Sequence, residues 1–282
     1  MNCKLLLSLT VLLAVKTYAF ETIKFKTVGP LFGESKQLQT ECTFENYSKT
    51  CIIDTGARQS AVGEDSFFLQ YPVASQGEMT GFNGEVIITD EILINNFKIG
   101  ELVLSNLLVD RVGVGFASKN PIIGNDVYWN LTMTFDFNQN VIYLGDQSPD
   151  DVKHAGLDTY HEKWIGIPVQ IEGDKVKSLW DTGASLSAVD IRYIEENLAN
   201  FKFVREIEAE DGVGNIVKTK VYKTRLNISG ISIQDVTVVA IDFKKIQNDV
   251  DPDIKVIVGY NIYSKFNWLI DYKNKKWAVW QK

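Results

Sequence analysis

Histidine is nearly absent from this sequence: His154 and His161 are the only 2 in 282 residues. Both fall in a polar, acidic stretch rich in turn residues, 145–163, rather than in an apolar run. A serine or cysteine nucleophile needs a histidine beside it in a structured pocket, and many zinc sites need one as a ligand. The scarcity of histidine therefore argues against those hydrolases, and we expect no metal site.

Basic residues are too few for a phosphate-binding surface. Lys and Arg number 29 against 36 Asp and Glu, which gives a net charge of −7, and the acids are scattered rather than clustered. Nucleic-acid binding needs a basic face, and no glycine-rich phosphate loop or dinucleotide fingerprint opens a strand-to-helix unit. We therefore expect no nucleic-acid partner and no cofactor. With 45% hydrophobic residues, the chain is long enough for two modest globular domains.

The one long apolar run lies at the N-terminus. Lys4 precedes LLLSLTVLLAV, and the small residues of TYA at 17–19 match a cleavage site after Ala19. The run is short for a bilayer span, although Lys16 near its end leaves an uncleaved anchor as the alternative. We predict a signal peptide over 1–19 and an exported chain, periplasmic or secreted, without stable membrane insertion.

Cysteine is scarce as well. Cys3 is lost with the signal peptide, which leaves Cys42 and Cys51 on either side of TFENYSKT, predicted as two strand ends around an Asn-Tyr-Ser turn. In an oxidising compartment we expect a disulfide across this hairpin. Two buried thiols are the alternative, and two cysteines are too few for a typical metal site. Glycosylation sequons, whose use depends on a eukaryotic secretory pathway, occur at Asn46, Asn130 and Asn227.

One pattern occurs twice. CIIDTGARQS at 51–60 and SLWDTGASLS at 178–187 each place Asp-Thr-Gly after an apolar run. Matched positions keep their order in both halves while their spacing grows by small insertions: Asp54 with Asp181, Gly81 with Gly212, Gly124 with Gly259, and Asp136 with Asp271. Order conserved over a half-chain is typical of a duplicated domain. We predict an N-terminal lobe over 20–147, a linker over 148–162 and a C-terminal lobe over 163–282.

Short runs of β-branched and aromatic residues, broken by turns, dominate both halves and predict a mostly β fold. The clearest helix signal is DIRYIEENLAN at 190–200, where Asp190 can cap the first turn and Ile191, Ile194 and Leu198 recur at spacings of three and four. Aromatic residues near the C-terminus are expected in the core or between the lobes: Trp268, Tyr272, Trp277 and Trp280.

After these exclusions, each half offers one distinctive carboxylate, Asp54 and Asp181. The glycine two residues later permits a sharp turn and close approach from the other half, and the threonine hydroxyl between them can bind backbone across the interface. Two apposed carboxylates cannot both ionise easily, so one proton is shared. The neutral acid can protonate a carbonyl oxygen while the ionised one takes a proton from water. The alternative is a pair of turn-capping acids, which Asp-Thr-Gly also suits.

The doubled DTGA, each followed later by two apolar residues and a glycine (IIG at 122–124, IVG at 257–259), resembles the aspartic peptidases of the pepsin and retropepsin type. The resemblance covers both lobes and implies a bilobal pepsin-like acid protease fold, with two β-barrel-like lobes and the active-site cleft between them. It implies an exported aspartic endopeptidase that hydrolyses extended polypeptides, as a monomer with an internal pseudo-dimer. The alternatives are a catalytically silent peptidase-like binding or inhibitor protein and, more weakly, a structural or adhesion protein of the envelope.

The resemblance also assigns site residues. Asp54 and Asp181 become the catalytic pair, and the threonines after them become the interlocking pair known as the fireman's grip. The supporting active-site loops comprise Thr55, Gly56, Thr182, Gly183, Gly124 and Gly259. Glycine-bearing hairpins are expected to fold over the substrate as flaps, formed by Gly81, Phe82, Asn83, Gly84, Gly212, Val213 and Gly214. Plain hairpin geometry explains these glycines equally well.

Departures from the family pattern carry further expectations. Ala57 and Ala184 stand where pepsin-like enzymes have a serine or threonine. They remove a hydroxyl that donates to the ionised dyad, so we expect a mildly acidic pH optimum. Arg58 and Ser185 differ at matched positions, so the subsites beside the dyad are expected to be unlike. The residues between the predicted cleavage site and the first aspartate are too few for a pepsin-type inhibitory pro-segment.

Overall fold

The computed structural model describes residues 21–29, 35–81, 85–113, 115–161, 163–210 and 214–282. Within these ranges the chain forms 22 strands and four short α-helices, which confirms the prediction of a mostly β fold. No helix in the described ranges is long and apolar enough to cross a membrane. The predicted signal peptide over 1–19 lies outside the described residues.

The elements follow one another in two series of similar length. The strands of the first series are β1 Thr22–Lys24, β2 Lys26–Val28, β3 Gln37–Phe44, β4 Tyr47–Ile53, β5 Ala61–Gly63, β6 Val73–Thr80, β7 Val86–Ile99, β8 Leu102–Val112, β9 Ile122–Ile123, β10 Thr132–Asp136 and β11 Val141–Leu144. The strands of the second series are β12 Ala155–Gly156, β13 Asp158–Tyr160, β14 Trp164–Ile171, β15 Asp174–Trp180, β16 Ala188–Asp190, β17 Lys202–Glu210, β18 Ile216–Ile228, β19 Ile231–Ile241, β20 Ile254–Val258, β21 Phe266–Asp271 and β22 Lys276–Gln281. The α-helices are α1 Asn125–Tyr128, α2 Ile191–Glu196, α3 Lys244–Asp249 and α4 Tyr260–Tyr263.

Two eight-stranded sheets, one in each lobe, have the same topology. The strand order is β2-β3-β4-β9-β5-β8-β7-β6 in the first lobe and β13-β14-β15-β20-β16-β19-β18-β17 in the second. Parallel pairs occur at matched places, β4–β9 and β5–β8 against β15–β20 and β16–β19. Each sheet also curls back on itself through an extra pairing, β3–β7 or β14–β18. The two halves therefore fold as two similar lobes, as the repeat predicted.

A third sheet joins the lobes, in the order β1-β11-β10-β21-β22-β12. Its central antiparallel pair brings β10 of the first half beside β21 of the second, with Phe135 opposite Trp268. Below it, Trp180 packs edge-on against Phe135 at a centroid distance of 4.9 Å. Of the C-terminal aromatics, Trp268, Tyr272 and Trp277 are buried, as expected, and Trp280 is half-buried. One continuous apolar core thus includes side chains from both lobes.

The strand that leads to the first Asp-Thr-Gly is covalently joined to its neighbour. A disulfide links Cys42 on β3 to Cys51 on β4, with the two Cα atoms 6.0 Å apart, which confirms the predicted bridge. The turn is shorter than predicted: Phe44 pairs directly with Tyr47, so the turn consists of Glu45 and Asn46 rather than Asn-Tyr-Ser. Glu45 adopts a positive φ of 55° there.

The segment 148–162, which we predicted as a linker, carries two short strands. Strand β12 pairs with β22 of the central sheet, and β13 pairs with β14 of the second lobe. Leu157 and Tyr160 within it are buried. The predicted helix over 190–200 begins as α2, where the Asp190 side chain accepts the N–H of Arg192, and continues as a separate 3-10 turn that leaves Leu198 exposed.

Candidate active site

The two aspartates of the repeated motif stand at matched strand ends. Strand β4 ends at Ile53 and β15 ends at Trp180, so each aspartate is the first residue to leave its strand. The Asp54 N–H still donates to the Ile123 carbonyl at 2.9 Å, and the Asp181 N–H donates to Val258 at 3.1 Å. Each aspartate is therefore anchored by the parallel neighbour of its own strand, β9 or β20.

Backbone N–H groups hold each carboxylate in place. Asp54 Oδ1 accepts the N–H groups of Gly56 and Ala57, both at 2.9 Å. In the second lobe, Asp181 Oδ1 accepts those of Gly183 at 2.8 Å and Ala184 at 3.1 Å. These bonds fix one oxygen of each carboxyl group and leave Oδ2 for other partners.

The two carboxyl groups meet at the midline between the lobes. A Cβ atom built on Gly56 would overlap the carboxyl group of Asp181, and one built on Gly183 would overlap that of Asp54. Each acid therefore lies directly on the glycine of the other lobe, where no other residue would fit. The two carboxyl groups are close enough to influence each other's ionisation, and both residues remain partly exposed to solvent.

This apposition makes ionisation of both acids unfavourable. Burial raises the pKa of Asp54 well above its usual range, and the nearby charge of Asp181 raises it further. Burial also raises the pKa of Asp181, against the backbone N–H groups of Gly183 and Ala184, which favour its charged form. The pair consequently titrates as one unit and retains a shared proton to higher pH than an isolated aspartate does.

The threonines of the motif cross-link the lobes. The Thr55 N–H donates to Thr182 Oγ1 at 2.9 Å, and the Thr182 N–H donates to Thr55 Oγ1 at 3.0 Å. Each hydroxyl then donates across the interface to the carbonyl before the opposite aspartate: Thr55 to Trp180 at 3.0 Å and Thr182 to Ile53 at 2.8 Å. Four buried hydrogen bonds, related in pairs by the internal symmetry, thus hold the two aspartate loops in one relative position.

The loops that begin at Gly124 and Gly259 pack under the aspartate loops. The Gly124 N–H donates to Ser60 Oγ at 3.0 Å, and the Gly259 N–H donates to Ser187 Oγ at 2.9 Å. A Cβ atom on either glycine would overlap the backbone of the aspartate loop above it. Both glycines therefore lie directly against the backbone of the aspartate loops.

The structure adds supporting residues that the sequence did not single out. The indole N–H of Trp164 donates to the Gly56 carbonyl at 2.8 Å, from the other lobe. Asn125 Nδ2 donates to the Thr55 carbonyl, while the Tyr263 hydroxyl donates to that of Thr182 at 2.9 Å. Asn125 and Tyr263 lie just after the IIG and IVG motifs, so their sequence positions indicate that they lie near the aspartate loops. Trp164 is separated from Gly56 by 108 positions, and no sequence pattern indicates their contact.

The hairpins predicted as flaps are β6–β7 and β17–β18, and the structure describes only part of their tips. The Gly81 N–H donates to the Glu85 carbonyl at 2.9 Å, which closes the base of the first tip. Gly214, at a φ of +92°, lies beside Gly115, in a loop of the first lobe. The other predicted flap residues lie outside the described residues: Phe82, Asn83, Gly84, Gly212 and Val213.

The positions beside the dyad differ between lobes in exposure as well as type, since Arg58 is exposed and Ser185 is half-buried. Within the described ranges, no cluster of three or more acidic, histidine or cysteine side chains has the arrangement of metal ligands.

No protein-family model matches this sequence, and a comparison with curated proteins gives no match either.

Proposed function

We propose that this protein is an aspartic endopeptidase with a pepsin-like bilobal fold, of the kind that the doubled DTGA resembles. One observation carries the proposal: each lobe delivers one carboxyl group to the midline, where each lies against the glycine of the other lobe. A pair of turn-capping acids would explain the bonds from each aspartate to its own loop. It would not explain why the two acids face each other.

The geometry supports general acid and base catalysis by the pair. Asp54 and Asp181 share one proton because burial and mutual repulsion disfavour a second negative charge; the dyad of aspartic proteases is the established example of this effect. The ionised acid removes a proton from a water molecule held between the two, and the neutral acid protonates the carbonyl oxygen of the peptide bond. No covalent intermediate and no cofactor take part.

A polypeptide substrate suits the surroundings of the dyad. The two aspartates stay partly exposed, so water and a substrate carbonyl can reach them. Each lobe also supplies one long hairpin, β6–β7 or β17–β18, and strand edges bind extended peptides through backbone hydrogen bonds. Because one chain supplies both aspartates, the active unit is a monomer with an internal pseudo-dimer.

The disulfide supports an oxidising compartment for this activity. Structural disulfides persist in exported proteins and are rare in reducing cytosol. The Cys42–Cys51 bridge joins the strand that leads to Asp54 to its neighbour, so it stabilises the site as well as the first lobe. We accordingly assign the protein to the periplasm or the secreted fraction.

Cleavage of an unfolded protein mixture tests the proposal. Wild type is compared with Asp54→Asn and with Asp150→Asn, which removes an exposed acid of the linker and serves as the control. We expect fragments from wild type and the control at mildly acidic pH, suppressed by a pepstatin-like inhibitor, and none from Asp54→Asn. Absence of cleavage by all three proteins from acidic to neutral pH would instead favour the catalytically silent binding protein.

A further inference from the structure

One matched pair of positions beneath the site carries an acid in the first lobe and an amide in the second. Asp126 and Asn261 each come two residues after the glycine of the IIG or IVG motif. In the second lobe, Asn261 Oδ1 accepts both the N–H and the hydroxyl of Ser187, each at 2.8 Å. Its Nδ2 donates to the Thr237 carbonyl at 2.8 Å. The amide thus uses its acceptor and its donor on different partners.

The acid in the first lobe reproduces half of this arrangement. Asp126 Oδ1 accepts the Ser60 hydroxyl at 2.8 Å, as Asn261 does from Ser187. Its Oδ2 is buried and accepts no hydrogen bond from the part of the chain that the structure describes. An ionised carboxylate is an acceptor at both oxygens, so a buried Oδ2 without a donor is unfavourable.

The internal symmetry indicates which group Oδ2 faces. The serine carbonyls accept matched strand N–H groups, from Asp110 to Ser60 in the first lobe and from Val239 to Ser187 in the second. Thr237 lies two residues before Val239, and Leu108 lies two residues before Asp110. The carbonyl that corresponds to the acceptor of the Asn261 amide is therefore that of Leu108.

We propose that Asp126 is a positioning residue that works as a neutral acid: its protonated Oδ2 donates to the Leu108 carbonyl, and its ionisation at higher pH loosens the loop that holds Asp54. Four hydrogen bonds connect the two acids. Asp126 binds the Ser60 hydroxyl, and that hydroxyl accepts the Gly124 N–H. The next residue of the same loop, Asn125, donates its N–H to the Ala57 carbonyl, and the Ala57 N–H binds Asp54.

The charged groups around Asp126 agree with a neutral acid. Burial raises its pKa, against the hydrogen bonds from Ser60 and the positive charge of Lys163. Lys163 approaches from the segment before β14, but no ion pair joins it to Asp126 among the described residues. Asp110 on β8 and Tyr128, on α1 with Asp126, also interact with it electrostatically. Burial first and then the charge of Asp126 raise the pKa of Tyr128.

The sign of the pH effect follows from the raised pKa of Asp126. Its folded value lies above its unfolded value, so the stabilisation is fully present at acidic pH and is lost as the pH rises through the folded value. Each unit by which the two values differ lowers the folding equilibrium constant about tenfold at high pH.

Denaturant unfolding at about pH 4 and about pH 7 tests the proposal on the full chain. In Asp126→Asn the amide donates at both pH values, so the equilibrium constant for folding at neutral pH should rise about tenfold relative to wild type, with little change at acidic pH. The matched variant Asn261→Asp should show the opposite: near wild-type stability at acidic pH and an added loss of about tenfold at neutral pH.

An Asp126→Asn protein with the wild-type pH dependence, or one that does not fold at either pH, would overturn the proposal, because the amide supplies the same donor. The unfolding measurement does not need the proposed function. The activity measurement rests on it: in Asp126→Asn the upper pH limit of cleavage should move to higher pH. A shifted pH dependence of unfolding in a protein that cleaves nothing would reject the peptidase and keep this inference.

Discussion

The two aspartate loops make the same hydrogen bonds to each other across the midline, but different side chains of their own lobes hold them from the side away from the midline. At the midline, Thr55 and Thr182 make the same bonds in both directions. Behind them, the Thr55 carbonyl accepts from the amide of Asn125, whereas the Thr182 carbonyl accepts from the hydroxyl of Tyr263. The Tyr128 hydroxyl, at the position matched to Tyr263, is buried without a hydrogen-bond partner in the described ranges.

This difference shows where a duplicated fold is constrained. A midline residue contacts its own copy, so a change in one lobe removes bonds in both. Behind the midline, the donor to each threonine carbonyl comes from the same lobe, where any donor of suitable reach is sufficient. The internal symmetry is therefore strict at the dyad and relaxed one layer below it, where Asn125 and Asp126 differ from Tyr260 and Asn261.

The largest expected effect tests whether the two lobes contribute equally to the proposed catalysis. Asp181→Asn should lower the cleavage rate by roughly 10³-fold, as should Asp54→Asn, because each removes half of one acid–base pair. The double variant should be no worse than either single variant, since residues that act as a unit are not additive. Rates are measured on one unfolded substrate at mildly acidic pH. A single variant that keeps most of the wild-type rate would contradict a shared dyad.

Glycine substitutions test the close approach of the lobes. Gly56→Ala and Gly183→Ala each place a methyl group where the opposite carboxyl group lies, so the acids must move apart. We expect cleavage to fall about 10²-fold, the usual result of misplacing catalytic groups by about 1 Å. The control is Gly156→Ala, because nothing lies within 4 Å of a Cβ atom there. Equal rates for all three variants would show that the glycines are not needed for this approach.

Threonine variants test the symmetry of the cross-link. Thr55→Val leaves the N–H of Thr182 and the carbonyl of Trp180 unpaired in the second lobe. Thr182→Val leaves the N–H of Thr55 and the carbonyl of Ile53 unpaired in the first lobe. Each variant should therefore lower the free energy of unfolding by about 1–3 kcal/mol. The serine variants at both positions keep the hydroxyl and serve as controls. Urea unfolding measures the change. A large decrease in the free energy of unfolding for one valine variant and none for the other would show that only one threonine holds the lobes together.

The smallest expected effect on stability concerns the side chains behind the aspartate loops, where the two lobes differ. Tyr263→Phe removes the donor to the Thr182 carbonyl and should destabilise the protein by about 1 kcal/mol. Tyr128→Phe removes a buried hydroxyl that has no partner among the described residues, so it should be neutral or stabilising. Thermal unfolding of the two variants gives the comparison directly. An equal loss in both would mean that Tyr128 also holds its loop.

Much of the site was predictable because its requirements are local. A close approach needs glycine, a cross-link needs a hydroxyl, and both follow each aspartate within two positions. The glycines of the IIG and IVG motifs were assigned to loops under the aspartates by the family resemblance. Trp164 was missed because a tryptophan at the start of a strand more often packs in a core than donates to a distant loop.

The sequence by itself determined that the chain is mostly β, that its halves are copies, and that two aspartates occupy matched turns, because these properties depend on residue types at short spacing. Tertiary structure decided which groups those turns meet. The glycine under each acid, the strands formed by the predicted linker, and the buried Oδ2 of Asp126 all result from contacts between segments far apart in the chain. Such contacts depend on how the two lobes pack, and a local pattern carries no information about that packing.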